Sequence, residues 1–247
     1  MPKSKIKTNK AGVLWSGGLD STYLIYYYLS TFQHVSVVAH YIELMNNTTK
    51  TRMELNACKK LAEVFNVMFP NRFEWHYGTS VNISYGTGEV TFKQLPSWLL
   101  GALFLTKTDT VAMGYVMNDD AISFLDDIQR VWKSMQFMRH DRAILEFPLV
   151  KVKKDEIVSQ LPGELKQHVV WCEMPNQISD TQFEPCGQCH PCQRSPLIAK
   201  AKMHDGVAEK LAEKCPVCQS IVAKECVNDG DGSINPLRQR YLVTPER

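Results

Sequence analysis

The stretch Gly12-Val13-Leu14-Trp15-Ser16-Gly17-Gly18-Leu19-Asp20-Ser21-Thr22 decides how the chain is read. A short apolar run, Gly12 to Trp15, breaks off at Ser16-Gly17-Gly18-Leu19-Asp20-Ser21, and Thr22 to Ser30 is then apolar over helical length. That is a strand, a tight loop and a helix. Working outward, Val35 to Ile42 is a second β-branched run, and Met53 to Phe65 carries Leu55, Cys58, Leu61, Ala62 and Phe65 at helical spacing. Phe73 to Tyr77 predicts a third strand, Trp98 to Leu105 a buried helix, and Val111 to Val116 and Ile144 to Val150 two further strands. Strands alternating with helices predict an α/β fold, a Rossmann-like parallel sheet with helices on both faces and its ligands at the carboxyl ends of the strands.

The pattern fades after Val150, where the charged segment Lys151 to Glu156 leads into a helix and then into a cysteine-rich region. The expected organisation is a nucleotide-binding and catalytic domain over 1–171, a cysteine cluster over 172–194, and an extension over 195–247 that is helical in composition to Lys214 and loop-like from Asn228.

The loop Ser16 to Ser21 stands where a phosphate-binding turn belongs. Two adjacent glycines permit positive φ and let backbone N–H groups crowd around an anion, while the helix that follows adds the partial positive charge of its N-terminus. The Ser16 and Ser21 hydroxyls can donate to phosphate oxygens. No Gly-Lys-Ser/Thr ending follows, so no loop lysine grips a β- or γ-phosphate, and the anion expected is the pyrophosphate released on adenylation, with Asp20 holding Mg²⁺. A plain glycine turn whose helix is capped by Asp20 or Ser21 would satisfy the same donors. Position between strand and helix, together with all six residues, favours the phosphate reading.

Seven of the eight cysteines lie after residue 171. Cys186-Gly187-Gln188-Cys189-His190-Pro191-Cys192 spaces three thiols at two-residue intervals, and Cys172 lies fourteen positions before the first of them. Four thiolates on two short segments suit tetrahedral Zn²⁺ and leave no open position for water, which makes the site structural. An iron–sulfur cluster takes the same ligand types; the lone upstream ligand and the lack of a redox partner motif favour zinc. Cys215, Cys218 and Cys226, with His204, make a weaker second candidate, and Cys58 reads as core.

Length and composition set the outer limits. A chain of 247 residues with 44% hydrophobic and 22% charged residues can build a core without disulfides. Lys+Arg 28 against Asp+Glu 26 leaves a formal charge of +2, which gives no support to non-specific nucleic-acid binding. The start of the chain holds Lys3, Lys5, Lys7 and Lys10 without an apolar core segment, and no apolar run is long enough to span a bilayer, so a cytoplasmic, non-membrane protein is expected.

The loop resembles the SGGxDS signature of the PP-loop ATP pyrophosphatases. That resemblance implies an adenine nucleotide α-hydrolase-like sheet, ATP and Mg²⁺ as cofactors, adenine read by second-strand backbone near Ala39 and Tyr41, and a loop site of Ser16, Gly17, Gly18, Leu19, Asp20 and Ser21. Added to it, the helix from Met53 to Glu63, Glu146-Phe147-Pro148-Leu149 followed by Lys154-Asp155-Glu156-Ile157, Trp171-Cys172, and Cys186 to Arg194 resemble the 7-cyano-7-deazaguanine synthase family over about residues 12 to 194. The family resemblance implies an ATP-dependent C–N ligase that adenylates 7-carboxy-7-deazaguanine and aminates it to the amide and then the nitrile. It also implies Zn²⁺ on Cys172, Cys186, Cys189 and Cys192, away from the nucleotide.

Departures mark the substrate half. Leu95-Pro96-Ser97-Trp98-Leu99 replaces a proline followed by an arginine–asparagine pair, and Ile42 to Thr51 replaces a glycine-glutamine-arginine-histidine segment. Asn118, Asp119, Asp120, Asp126 and Asp127 stand where the family has a loop ending in tyrosine-proline-aspartate-cysteine. These carboxylates are either ligands of Mg²⁺ and substrate or an ordinary acidic helix start; Asp20, Ser21 and Asp119 form the expected catalytic set. His40 and His76 are candidates for proton transfer, and Lys93 and Lys107 for charge neutralisation. The expected partners are a 7-deazaguanine carboxylate, an amine donor that is ammonia or a protein amine, and a second copy of the chain as a homodimer. The alternatives are a relative that conjugates the activated carboxylate to a protein amine, as in antiviral systems, and a tRNA-modifying PP-loop enzyme.

Overall fold

The structure is a computed structural model that describes residues 9–44, 47–81, 94–105, 107–117 and 119–194, all within one unit, Met1–Pro196. The expected helix over Ser195 to Lys214, the second cysteine group, Lys93 and Asn118 lie outside the described residues.

A five-stranded parallel sheet forms the centre: β1 (Lys10–Leu14), β2 (Ser36–Leu44), β3 (Phe73–Val81), β4 (Thr110–Ala112) and β5 (Ile144–Glu146), in the order β3-β2-β1-β4-β5. The crossovers are α1 (Leu19–Thr31), α2 (Thr48–Met68), α3 (Gln94–Leu105) and α4 (Leu125–Met135), followed by the short α5 (Lys154–Gln160), α6 (Gly163–Lys166) and α7 (His190–Arg194). The architecture is Rossmann-like, with the strand order reversing at β1.

Alternation along the strands divides the core between two faces. Leu14, Ile42, Val111, Met113 and Leu145 pack with Leu99, Ala102 and Leu103 of α3 and Ile128 and Trp132 of α4. Residues of the other parity face α1 and α2: Trp15 lies against Phe65 and Phe73, and Tyr28 of α1 donates to Glu146. Two strands stop earlier than their apolar runs predict. β4 ends at Ala112 because Gly114 swings against the start of α1, and β5 ends at Glu146, two residues before Pro148, which has no N–H for a ladder. Among the described residues no helix is long and apolar enough to cross a membrane.

Candidate active site

The loop Ser16 to Ser21 leaves β1 at its carboxyl end and is fixed from three sides. Trp15, the last residue before it, is held edge-on by Phe65, Phe73 and Trp75, and its indole N–H donates to Thr22 Oγ1 at 3.1 Å. Gly17 adopts φ 70°, and a Cβ there would meet Ala57 Cβ at 3.1 Å, the Glu54 carbonyl at 3.2 Å and Cys58 Sγ at 3.3 Å. The position takes a glycine both for its dihedral and for its closeness to α2. On the opposite side Val170 N–H donates to Gly17 O at 3.0 Å, and Gly18 forms a parallel bridge with Val170.

Gly18 is the N-cap of α1, and no side chain caps that helix. Leu19, Asp20 and Ser21 are its first helical residues, so neither Asp20 nor Ser21 is the N-cap, and the N–H groups of the first turn need an acceptor from outside the helix. Ser21 Oγ stays within the loop, bonded to Gly18 O at 3.4 Å and accepting from Ser16 N–H at 3.5 Å. The segment after β4 closes the fourth side. A Cβ on Gly114 would stand 2.9 Å from Ser21 N and 3.0 Å from the Asp20 carbonyl carbon, so only glycine lets this backbone pass.

Asp20 and Asp119 face each other across Lys154. The Lys154 ammonium lies 3.3 Å from Asp20 Oδ2 and 3.4 Å from Asp119 Oδ1. Asp119 is fixed by its own turn, its Oδ2 accepting from Val116 N–H at 2.9 Å, and Met117 N–H ties that turn to Val152 O, just before α5. Burial pushes the Asp20 carboxyl up to about 6 against the lowering effect of Lys154, with Asp119 adding to the rise. Its Oδ1 is buried without a hydrogen-bond partner. An anion held at a cost, with one oxygen free and a second carboxylate nearby, has the donor set of a Mg²⁺ site.

The structure thus brings Asp20, Ser21 and Asp119 together and adds Lys154 and Gly114, which the sequence reading left without a role. Lys154 stands at the first position of α5, in the stretch Lys154-Asp155-Glu156-Ile157 that belongs to the family resemblance. Lys107 lies before β4, at the amino end of the sheet, away from the loop. Of the other carboxylates, Asp126 and Asp127 lie in the exposed first turn of α4, where Asp127 pairs with Arg130.

Ala39 pairs with Val13 on one side and Trp75 on the other, so its backbone lies inside the ladder, whereas Tyr41 is one residue past Leu14↔His40, the last pair with β1. The Tyr41 hydroxyl donates to Glu54 Oε2 at 2.9 Å, behind the loop. His40 stacks on His76 with ring centroids 5.5 Å apart, and burial lowers its imidazole to about 4, leaving it neutral at pH 7. Trp98 is partly buried and packs against the α3–α4 core with Leu44, Leu95, Tyr115 and Phe147. Those last two rings lie 5.8 Å apart just past the ends of β4 and β5, which makes the carboxyl end of this sheet half aromatic.

Cys172, Cys186, Cys189 and Cys192 converge, with all four sulfurs within 4.8 Å of one another. Cys172 Sγ and Cys189 Sγ are 3.8 Å apart. Backbone N–H groups point at the sulfurs: Cys186 N to Cys172 Sγ at 3.2 Å, Cys189 N to Cys186 Sγ at 3.3 Å, and Glu173 N to Cys189 Sγ at 3.4 Å. Donors of this kind favour thiolates, and those from Cys189 and Gln188 hold the Cys186 thiol below its usual range. Four soft ligands in one place form a group that can hold a metal ion. Cys58 behaves differently: it is buried under Gly17, and burial pushes its thiol well up.

No protein-family model and no curated protein matches the chain. Among solved structures it is similar to the U34-tRNA thiolase NcsA from Methanococcus maripaludis with its [4Fe-4S] cluster. The similarity has 17% sequence identity, covers 89% of this chain and 80% of that one, and has a TM-score of 0.46.

Proposed function

We propose that the chain is an ATP-dependent, AMP-forming ligase of the PP-loop type that activates a 7-deazaguanine carboxylate and transfers it to nitrogen. The observation that carries this reading is the uncapped start of α1 beside the Asp20–Lys154–Asp119 group. An anion site and a cation site adjoin there at the carboxyl edge of the sheet.

In this reading the first-turn N–H groups and the Ser16 and Ser21 hydroxyls hold the β- and γ-phosphates. Asp20 and Asp119 hold Mg²⁺, which neutralises charge on the phosphate oxygens. Lys154 bridges the two carboxylates and screens their mutual repulsion, and its ammonium would add positive charge beside the phosphates. A carboxylate oxygen attacks the α-phosphate, pyrophosphate leaves into the loop, and nitrogen then displaces AMP from the acyl carbon. Trp98, Tyr115 and Phe147, partly buried against the α3–α4 core, are the aromatic side chains that a flat heteroaromatic substrate ring would meet, where the family it resembles has a polar pair.

The cysteines fit Zn²⁺: bonds of about 2.3 Å in a tetrahedron set sulfurs about 3.8 Å apart, which is the Cys172–Cys189 separation of 3.8 Å. Cys58 is buried with its thiol raised and offers no reactive thiol at the loop; the tRNA-modifying alternative rests instead on the four-cysteine group, whose ligand types an iron–sulfur cluster also takes.

The test is incubation with ATP, Mg²⁺, 7-carboxy-7-deazaguanine and ammonia, with products read by mass. Amide or nitrile is the expected product, and Asp20→Ala abolishes it while the protein stays folded. A conjugate formed only with a protein amine selects the conjugating alternative. Failure to consume the deazaguanine with any amine removes this substrate.

A further inference from the structure

The segment Val170–Glu173 belongs to two sites at once. Its first residue bonds Gly17 and bridges Gly18, its third is the ligand Cys172, and its fourth donates N–H to Cys189 Sγ. The Glu173 side chain continues the connection by pairing with the Lys50 ammonium, which also lies 3.8 Å from Glu54 Oε1. Lys50 is only 13% exposed, whereas Glu173 is 46% exposed, so the pair sits at the surface with its ammonium end covered. The Glu54 carbonyl is among the atoms a Cβ at Gly17 would touch, and Asn47, the N-cap of α2, donates from Nδ2 to Glu173 O at 3.1 Å. Gly17 is thereby gripped between α2 and Val170, and both jaws are tied to the residue that follows Cys172.

We propose that the cysteine site is a positioning element for the nucleotide loop. A metal ion on Cys172, Cys186, Cys189 and Cys192 holds Val170–Glu173 against Gly17 and Gly18 and so raises the loop's affinity for ATP. The proposal rests on the nucleotide reading above and adds to it a coupling between two sites. Its physical basis is population: the loop binds with full affinity only while Val170 is docked, and a metal that needs Cys172 in place enriches that state. Coupling of this kind is reciprocal, so ATP must raise metal affinity by the same factor. Lys50 is a positioning residue that carries the side-chain branch of the link, while the Val170 amide carries the backbone branch.

The experiment uses the full chain loaded with Zn²⁺, the same protein stripped by a chelator, and Lys50→Met loaded with Zn²⁺. An ATP analogue with an α,β-methylene bridge is titrated into each with Mg²⁺, and amide exchange at Val170 is followed in parallel. Stripping is expected to weaken binding by about 5-fold or more, to speed exchange at Val170, and to leave Val13 and Leu14 in the sheet centre protected. Zn²⁺ is expected to be held more tightly with the analogue present, by the same factor. Lys50→Met keeps its zinc and loses part of the gain in affinity.

Equal analogue affinity with and without zinc, with unchanged exchange at Val170, overturns the proposal. If the stripped protein unfolds, loaded Lys50→Met decides: unchanged affinity overturns the coupling and weakened affinity supports it. If the loaded protein binds no analogue, the nucleotide reading falls. The exchange of Val170 then decides whether the metal acts on the loop.

Discussion

Glu54 shows what a mostly covered carboxyl behind the loop does to the protein as pH changes. Burial pushes its carboxyl up from 4.5 to about 7, against the lowering effects of Lys50 and the Tyr41 hydroxyl. The folded state therefore holds a proton that the unfolded chain releases, so folding stability falls as pH rises from about 4.5 to about 7 and stays lowered above that. Glu54→Gln keeps the shape and removes the titration. Between pH 5 and pH 8 the wild type is expected to lose roughly 2 kcal/mol more than this variant in urea unfolding; equal losses would remove Glu54 as the cause. Residue identity alone shows none of this, because a glutamate on a helix with lysines nearby reads as a solvated pair. Its burial depends on the packing of Tyr41 beneath the loop. Lys154 was quoted with the family resemblance but given no role for a related reason: its partners Asp20 and Asp119 are far from it in sequence, and only the return of the chain after β5 brings the three together.

Between elements, the deciding contact is the passage of Gly114 across the start of α1. The atoms a Cβ would strike are Ser21 N, Ser21 Cα and the Asp20 carbonyl carbon, all backbone, so no side chain can turn aside to make room. Gly114→Ala is expected to push β4's exit away from the loop, costing about 1–3 kcal/mol of stability. Because the displaced atoms lie beside the reacting groups, nucleotide turnover is expected to fall by at least about 100-fold. A folded Gly114→Ala protein with wild-type turnover would show that the loop tolerates this shift. The strand–loop–helix unit was legible because its glycines and apolar runs act locally. The early ends of β4 and β5 were not: Val111 to Val116 is apolar enough for a longer strand, and tertiary approach at Gly114 cuts it short. α4 was legible only as an acidic start, since its buried Ile128 and Trp132 are few among charged neighbours.

At the scale of the whole molecule, the parallel sheet follows from the succession of apolar runs, and its strand order puts the loop at the point where the order reverses. The convergence of the cysteines was legible from spacing, but their tie to the loop through Val170 was not, because that contact joins residues 17 and 170. The segment that carries Cys172 also contacts the loop, through Val170 at Gly17 and Gly18. A Ser16–Ser21 loop that takes pyrophosphate from ATP separates the α-phosphate from the γ-phosphate during turnover. ATP labelled separately at its α- and γ-phosphates is followed through a single turnover with Mg²⁺, 7-carboxy-7-deazaguanine and ammonia. The α label is expected to leave as AMP and the γ label as pyrophosphate. ADP and orthophosphate as products would contradict that role of the loop.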